Sequence, residues 1–543
     1  MKPIAIDKKS RQIILGAQEP QAGHLLKKIL SNPKLNLAEL SVLGRELMER
    51  GQYDFAARIF ARWAELDPQN PVPWSNLGGS LAKLNLFGEA KKILEHAIDL
   101  SPTYAGARIN LCGVYQDTGE YKLALEAALT AVQCDPKSSL AFNNLGTALQ
   151  DMGMYDEARY AFETSLLLSK KSFYARFNLA KIEAERGNIA LAITHFEASL
   201  KEETRDRGAN IDLIKYCLGF EYLKTGRISD GWDFYGFGFS EKIPRAIARH
   251  PLRTFKVPKW NGKKLEDGQR LLVWREQGIG DEVMFGSCLK ILEQVETDII
   301  LEVDKRLIQA MQRSFPSFEV REQKFSSSEG LMQTQFDYDF HIPLGSLPAL
   351  FLKDIEDTSR LLPYIKSDTN LQDTFFQRLK KYRNMRKVGI CWRSGLLNTR
   401  RNADYTLLDD WAGVFAMPNT VFVNLQYGDC EAELIEAEKK HNVEIIRWGD
   451  VDLKNDLESV FAIMSNLDAF VSVGTAVVPF AGAVGLKGVV MLLDDWVSLG
   501  SKEIYPWFPN IRSIVLPRTE YVAKALPLVP DVFEQLMSET CTA

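Results

Sequence analysis

From Leu37 onward, apolar residues recur at helical spacing, and the whole pattern repeats with a period of 34 residues. The frames are 37–70, 71–104, 105–138 and 139–172, with weaker copies near 173–206 and 212–240. In the second frame Trp74, Leu77, Gly78 and Leu81 share one face of a first helix, and Ala90, Leu94 and Ala97 share a face of a second. Pro102 ends the pair. The first frame repeats this with Leu40, Leu43, Gly44, Leu47, Ala56, Phe60, Trp63 and Pro68, and the fourth with Phe142, Leu145, Gly146, Leu149, Ala158 and Phe162. Small residues at frame positions 8 and 20 let the two helices approach closely. The pattern predicts a stack of helical hairpins over 37–240, with 1–36 as a lead-in or partial repeat. It decays over Leu218–Tyr235, as a terminal repeat docking onto another domain would.

Residues 241–268 carry Pro244, Pro251, Pro258, Gly262 and Gly268 with little periodicity and read as a linker. From Arg270 the texture changes to short β-branched runs alternating with helical stretches, which predicts parallel sheets with crossover helices. Candidate strands are Arg270–Trp274, Asp298–Val303, Phe318–Arg321 and Tyr338–Ile342, then Lys387–Trp392, Thr420–Gln426, Val443–Trp448, Ala469–Val473 and Gly488–Leu493. They divide into a first Rossmann-like domain over 269–365 and a second over 366–543, whose end (Tyr521 to Leu536) is expected to cross back onto the first.

Two loops in this half carry candidate chemistry. After Leu271-Leu272-Val273 comes Trp274 to Gly286, WREQGIGDEVMFG, which reads as strand, tight loop and helix. Gly278 and Gly280 allow close backbone approach. Asp281 is placed at or near the N-cap, at the mouth of an α/β crevice, and capping alone would also explain it. The second loop, Gly474-Thr475-Ala476, follows Ala469–Val473 and opens a small-residue helix, an arrangement suited to a phosphate.

Composition narrows the field. A formal net charge of −5, with 25% charged residues, argues against a nucleic-acid surface. No apolar run is long enough to span a bilayer. The start, MKPIAIDKKSRQIIL, lacks the apolar core of a signal peptide, so a cytoplasmic location is expected. Seven scattered cysteines without a CxxC pair, and six scattered histidines, predict buried thiols and no metal site.

The 34-residue pattern resembles the tetratricopeptide repeat. In that family asparagines on the first helix often bond a bound peptide's backbone. Asn76, Asn110, Asn144 and Asn178 recur at frame position 6, which leaves two roles open: acceptor-peptide contact or bonding between repeats. The second half, with Pro258-Lys259-Trp260, LLVWREQGIGDEVMF, GICWRSG (389–395), LQYGD (425–429) and VSVGTAVVPFAGAVG (471–485), is similar to the glycosyltransferase region fused to such repeats in many bacterial proteins. That region is in turn similar to the heptosyltransferases, glycosyltransferase family 9. The implied fold class is α plus α/β: a tetratricopeptide-repeat α-solenoid followed by a GT-B-like pair of Rossmann-like domains.

The resemblance implies a metal-independent glycosyltransferase needing no cofactor beyond its nucleotide-sugar co-substrate. Asp281 would be the general base for the acceptor hydroxyl, with Glu276 and Glu282 flanking it as possible substitutes, although an acid in a first helical turn commonly offsets the dipole. Arg393, Arg400 and Arg401, with Gly474, Thr475 and Ala476, would hold the donor phosphate, and Gly278, Gly280, Glu276, Gln277 and Gln426 would support the site. The sequence departs from the family at Gly474 and Pro479, where an Asp and a His are usual. A different donor, such as a CMP-linked nonulosonic acid, or a lost activity would each explain that. The expected acceptor is a Ser or Thr of a protein held by the repeats, with flagellin the leading candidate. The alternatives are a non-catalytic repeat adaptor and a lipopolysaccharide or capsule glycosyltransferase.

Overall fold

The repeat frames fold as helical hairpins because each hairpin solves the same packing problem. The computed structural model describes residues 36–170, 172–206, 211–245, 247–295, 297–323, 337–394 and 403–539. Two compact units result, one up to Ile182 and one from Glu183. The first contains α1 (Leu37–Glu49), α2 (Tyr53–Leu66), α3 (Pro71–Lys83), α4 (Phe87–Leu100), α5 (Ala105–Asp117), α6 (Tyr121–Cys134), α7 (Ser139–Asp151), α8 (Tyr155–Leu168) and most of α9 (Phe173–Glu185). Asn36, Asn70 and Ser138 cap the first helix of their frames, each accepting a backbone N–H at 3.0–3.1 Å. A β-carbon added at Gly44, Gly78 or Gly146 would lie 2.5 Å from Phe60, Leu94 or Phe162 respectively, so frame position 8 is small because position 24 is large. The third frame reverses the sizes, with Cys112 at position 8 and Ala128 at position 24, both fully buried. The turn within each hairpin needs one left-handed residue, supplied by Gly51, Asn85, Gly119, Gly153 and Gly187 at one-repeat intervals.

The second unit begins with the end of α9 and continues through α10 (Ile189–Asp206), α11 (Ile211–Lys224) and α12 (Ile228–Tyr235). Its first sheet runs in the order β3–β2–β1–β4, all parallel, with β1 Arg270–Trp274, β2 Asp298–Val303, β3 Glu319–Glu322 and β4 Phe340–Pro343. The second runs β10–β9–β8–β5–β6–β7, also parallel, with β5 Arg386–Cys391, β6 Thr420–Asn424, β7 Ile445–Ile446, β8 Ala469–Val473, β9 Gly488–Leu493 and β10 Ile511–Leu516. The strand order reverses between β1 and β4 in the first lobe and between β5 and β8 in the second, and the crevices beyond those carboxyl ends are where open parallel sheets bind ligands. Strand β7 is shorter than its apolar run suggests, and β10 is a strand beyond those expected from the apolar runs.

Within this unit the lobes are in contact. The Tyr364 hydroxyl donates to the Val283 carbonyl at 2.8 Å, its backbone N–H donates to Ala483 at 2.8 Å, and Arg313 pairs with Glu458 at 2.6 Å. Trp232 of α12 packs on Phe285 from the first lobe and on Trp496 and Trp507 from the second, at ring distances of 6.0–6.5 Å. The segment around Trp496–Trp507 thus makes the return that was expected of the last helix. That helix (Val529–Ser538) instead buries Val529, Phe533 and Leu536 in the second lobe's own core. The 241–268 stretch is not a free linker either: Trp260 is 2% exposed and its backbone N–H donates to the His341 carbonyl, beside β4.

Candidate active site

The loop that leaves β1 is shaped residue by residue. Arg275 turns back to pair with Glu282 at 2.8 Å and Asp304 at 3.2 Å. Glu276 is 1% exposed and pairs with the fully buried Arg249, at 2.7 Å from Nε to Oε2, while its other oxygen takes the Gly345 N–H at 2.9 Å. Gln277 adopts φ +61° and donates its N–H to the His250 carbonyl at 2.7 Å. Gly278 caps helix α13 (Ile279–Gly286), so Asp281 lies inside the first turn instead of at the cap, and its carboxylate reaches back to the Gly278 N–H at 3.2 Å.

These positions separate the three acids. Glu276 and Glu282 cannot substitute for Asp281: both are buried and committed to arginines. Burial pushes the Glu282 carboxyl up to about 7 against the opposing pull of Arg275. Asp281 alone stays half-buried. Burial raises the phenols of Tyr216, Tyr235 and Tyr505, and the Asp281 charge adds a smaller push to each.

The second loop meets the first. A β-carbon on Gly280 would sit 3.2 Å from Ala476, so glycine permits the approach of α13 to the helix Val477–Ala483. Gly474 is exposed, and the Thr475 hydroxyl accepts the Val477 N–H at 3.3 Å and lies 3.5 Å from the buried Cys391 thiol. Thr475 and Cys391 therefore mark the β5–β8 crevice from its two sides.

Arg393 and Gln426 are both engaged within the second lobe. Arg393 does not point a free guanidinium at a phosphate: it is 9% exposed, bonds Glu433 at 3.1 Å through Nε and donates to the Asp429 carbonyl at 2.8 Å. Burial alone would raise Glu433, but hydrogen bonds from Arg393 and Trp392 outweigh it and hold the carboxyl low. Gln426 is 1% exposed, and its Oε1 takes the N–H groups of Trp392 and Arg393 at 3.3 and 3.1 Å, which fixes the exit of β5. Arg400 and Arg401 lie outside the described residues. Beyond the carboxyl ends of β6 and β7 lies a cavity of about 340 Å³ lined by Tyr427, Asp429, Arg447, Trp448 and Asp452 among others. Arg249 and Glu433 had no sequence signal, since one lies in an irregular stretch and the other on an ordinary charged helix face.

On the repeats, the asparagine ladder bonds between neighbouring hairpins. Nδ2 of Asn110 donates to the Ser75 carbonyl at 2.9 Å, that of Asn144 to the Ile109 carbonyl at 3.1 Å, and that of Asn178 to Asn143 Oδ1 at 3.2 Å. Asn76 occupies the same half-buried place on α3. Three of these amides are thus engaged by the preceding repeat.

Among the described residues no helix is long and apolar enough to cross a membrane. Residues 73–104 and 127–160 match the tetratricopeptide repeat family. Protein FlbA of Caulobacter vibrioides is 32% identical over 349 residues, 61% of this chain and 56% of FlbA. A match of that length exceeds everything ahead of residue 241, so it takes in part of the α/β lobes. The peroxisomal targeting signal receptor of Candida glabrata is 32% identical over 90 residues, 17% of this chain and 15% of the receptor. The chain therefore spans about half the length of FlbA and less of the receptor. Among solved structures, TTC0263, a thermophilic TPR protein of Thermus thermophilus, is similar with TM-score 0.30 and 22% identity, covering 32% of this chain and 93% of that one. The chain carries tetratricopeptide repeats and is similar to FlbA beyond them.

Proposed function

We propose that this chain is a cytoplasmic glycosyltransferase of GT-B organisation that moves a sugar from a nucleotide-sugar to a Ser or Thr hydroxyl of a protein captured by its repeats. The observation that carries the reading is the meeting of two switch-point loops at Gly280 and Ala476, one bearing a half-buried carboxylate and the other a hydroxyl and backbone amides. Asp281 takes the proton from the acceptor oxygen as that oxygen bonds to the sugar's anomeric carbon. The bond from that carbon to the donor phosphate breaks, and the nucleotide leaves with the electron pair. Thr475 lines the phosphate side, and Arg400 and Arg401 are the candidate counter-charges. With Arg393 engaged by Glu433, the donor is expected to carry fewer phosphates than a nucleoside diphosphate sugar, and a CMP-linked nonulosonic acid fits. Flagellin is the proposed acceptor.

The rival reading, a repeat adaptor with an inactive α/β half, is favoured by one observation: Arg393 and Glu276 are consumed by ion pairs. Intact-mass analysis of flagellin from parent cells with and without this chain tests the proposal. A mass shift that disappears with the chain and with Asp281→Asn supports transfer, whereas unchanged flagellin in all three strains favours the adaptor.

A further inference from the structure

The residue that most constrains the Asp281 loop lies outside both lobes. Arg249 belongs to the irregular stretch between the last repeat and β1, yet it is 0% exposed. Its guanidinium lies between the rings of Tyr235 and Phe239, 4.2 and 4.1 Å from their centres. Its backbone N–H donates to the Gly238 carbonyl at 2.9 Å, and a β-carbon on Gly238 would come within 2.8 Å of its side chain, so the pocket is cut to this arginine. From there it grips both oxygens of Glu276 and reaches Ser346 Oγ at 3.2 Å.

We propose that Arg249, through Glu276, is a positioning residue for Asp281, an inference that rests on the transferase reading above. Glu276 also takes the Gly345 N–H, so one carboxylate ties the exit of β1 to the turn after β4, the two strands that flank the crevice. The next peptide completes the mould: the His250 carbonyl takes the N–H of Gln277, whose φ of +61° is a conformation L residues seldom adopt. Four residues later comes Asp281, whose carboxylate must meet a hydroxyl proton at hydrogen-bond distance. Stability alone does not call for this pair. Two well-packed apolar side chains in place of a buried ion pair are often as stable, but they cannot hold three separate donors in register.

That distinction supplies the experiment. The double variant Arg249→Met/Glu276→Met, made in the full chain, is expected to unfold near the wild-type midpoint. With purified flagellin and a CMP-linked nonulosonic acid, its kcat should fall by about 100-fold, the scale of a misplaced catalytic group. KM for flagellin should stay unchanged. Arg249→Lys, which keeps the charge and loses the fork, should lower kcat in the same direction and serves as the readout if the double variant does not fold. Wild-type kcat in either folded variant overturns the positioning role while Asp281→Asn remains inactive. Full turnover by Asp281→Asn, or a wild-type chain that modifies no flagellin, overturns the transferase reading itself and this inference with it.

Discussion

The loop after β1 and the loop after β8 both leave a central parallel strand at a switch point, pass through glycine and open a short buried helix, yet they differ in charge. The first packs three carboxylates into seven residues, and the second carries none. Within the first, Arg249 from outside the loop pairs with Glu276 and the loop's own Arg275 pairs with Glu282, which leaves one acid with partial solvent access. The difference teaches that a site's charge is set by what the surrounding fold pairs off as much as by what its motif contains.

Replacing Asp281 by Asn is the strongest way to break that comparison. Turnover should drop by about 10²–10⁴-fold, the usual contribution of a general base, while the unfolding midpoint barely moves because the amide oxygen still accepts the Gly278 N–H. Glu276→Ala should add to its loss of turnover a stability cost that Asp281→Asn lacks, about 3–5 kcal/mol in denaturant unfolding, because Arg249 is left buried without a counter-charge. If the two substitutions affect stability alike, the division of roles is wrong.

Gly280→Ala probes the junction of the loops. Its methyl would lie 3.2 Å from Ala476, and the overpacking should cost about 1–3 kcal/mol and speed hydrogen exchange across 477–483. Glu282 gives a pH test. Its carboxyl rises from 4.5 to about 7 on folding, so in that window the folded chain holds a proton the unfolded chain has released. Stability should therefore fall as pH climbs through the window, and Glu282→Gln should flatten the fall in melting temperature. The smallest effect belongs to the repeats, where Asn110→Ala should cost about 1 kcal/mol through its lost bond to Ser75.

The residues themselves determined a good deal. Period, helix faces and the small residues at frame positions 8 and 20 are local consequences of helical geometry, so the hairpins could be read directly, whereas the exchange of small for large between positions 8 and 24 came from the packing. Parallel strands with intervening helices were legible for the same reason, and β1, β2, β8 and β9 fall where their apolar runs predicted. What the chain order could not convey was pairing over distance. Arg249 meets Glu276 and Arg393 meets Glu433 across 27 and 40 residues, and Trp232 reaches rings in both lobes. A charged or aromatic side chain reads the same in sequence whether it faces solvent, a ligand or a buried partner. The motif already put Asp281 first, and only the folded packing, which decides where desolvation is offset by a counter-charge, removed Glu276 and Glu282 as its substitutes.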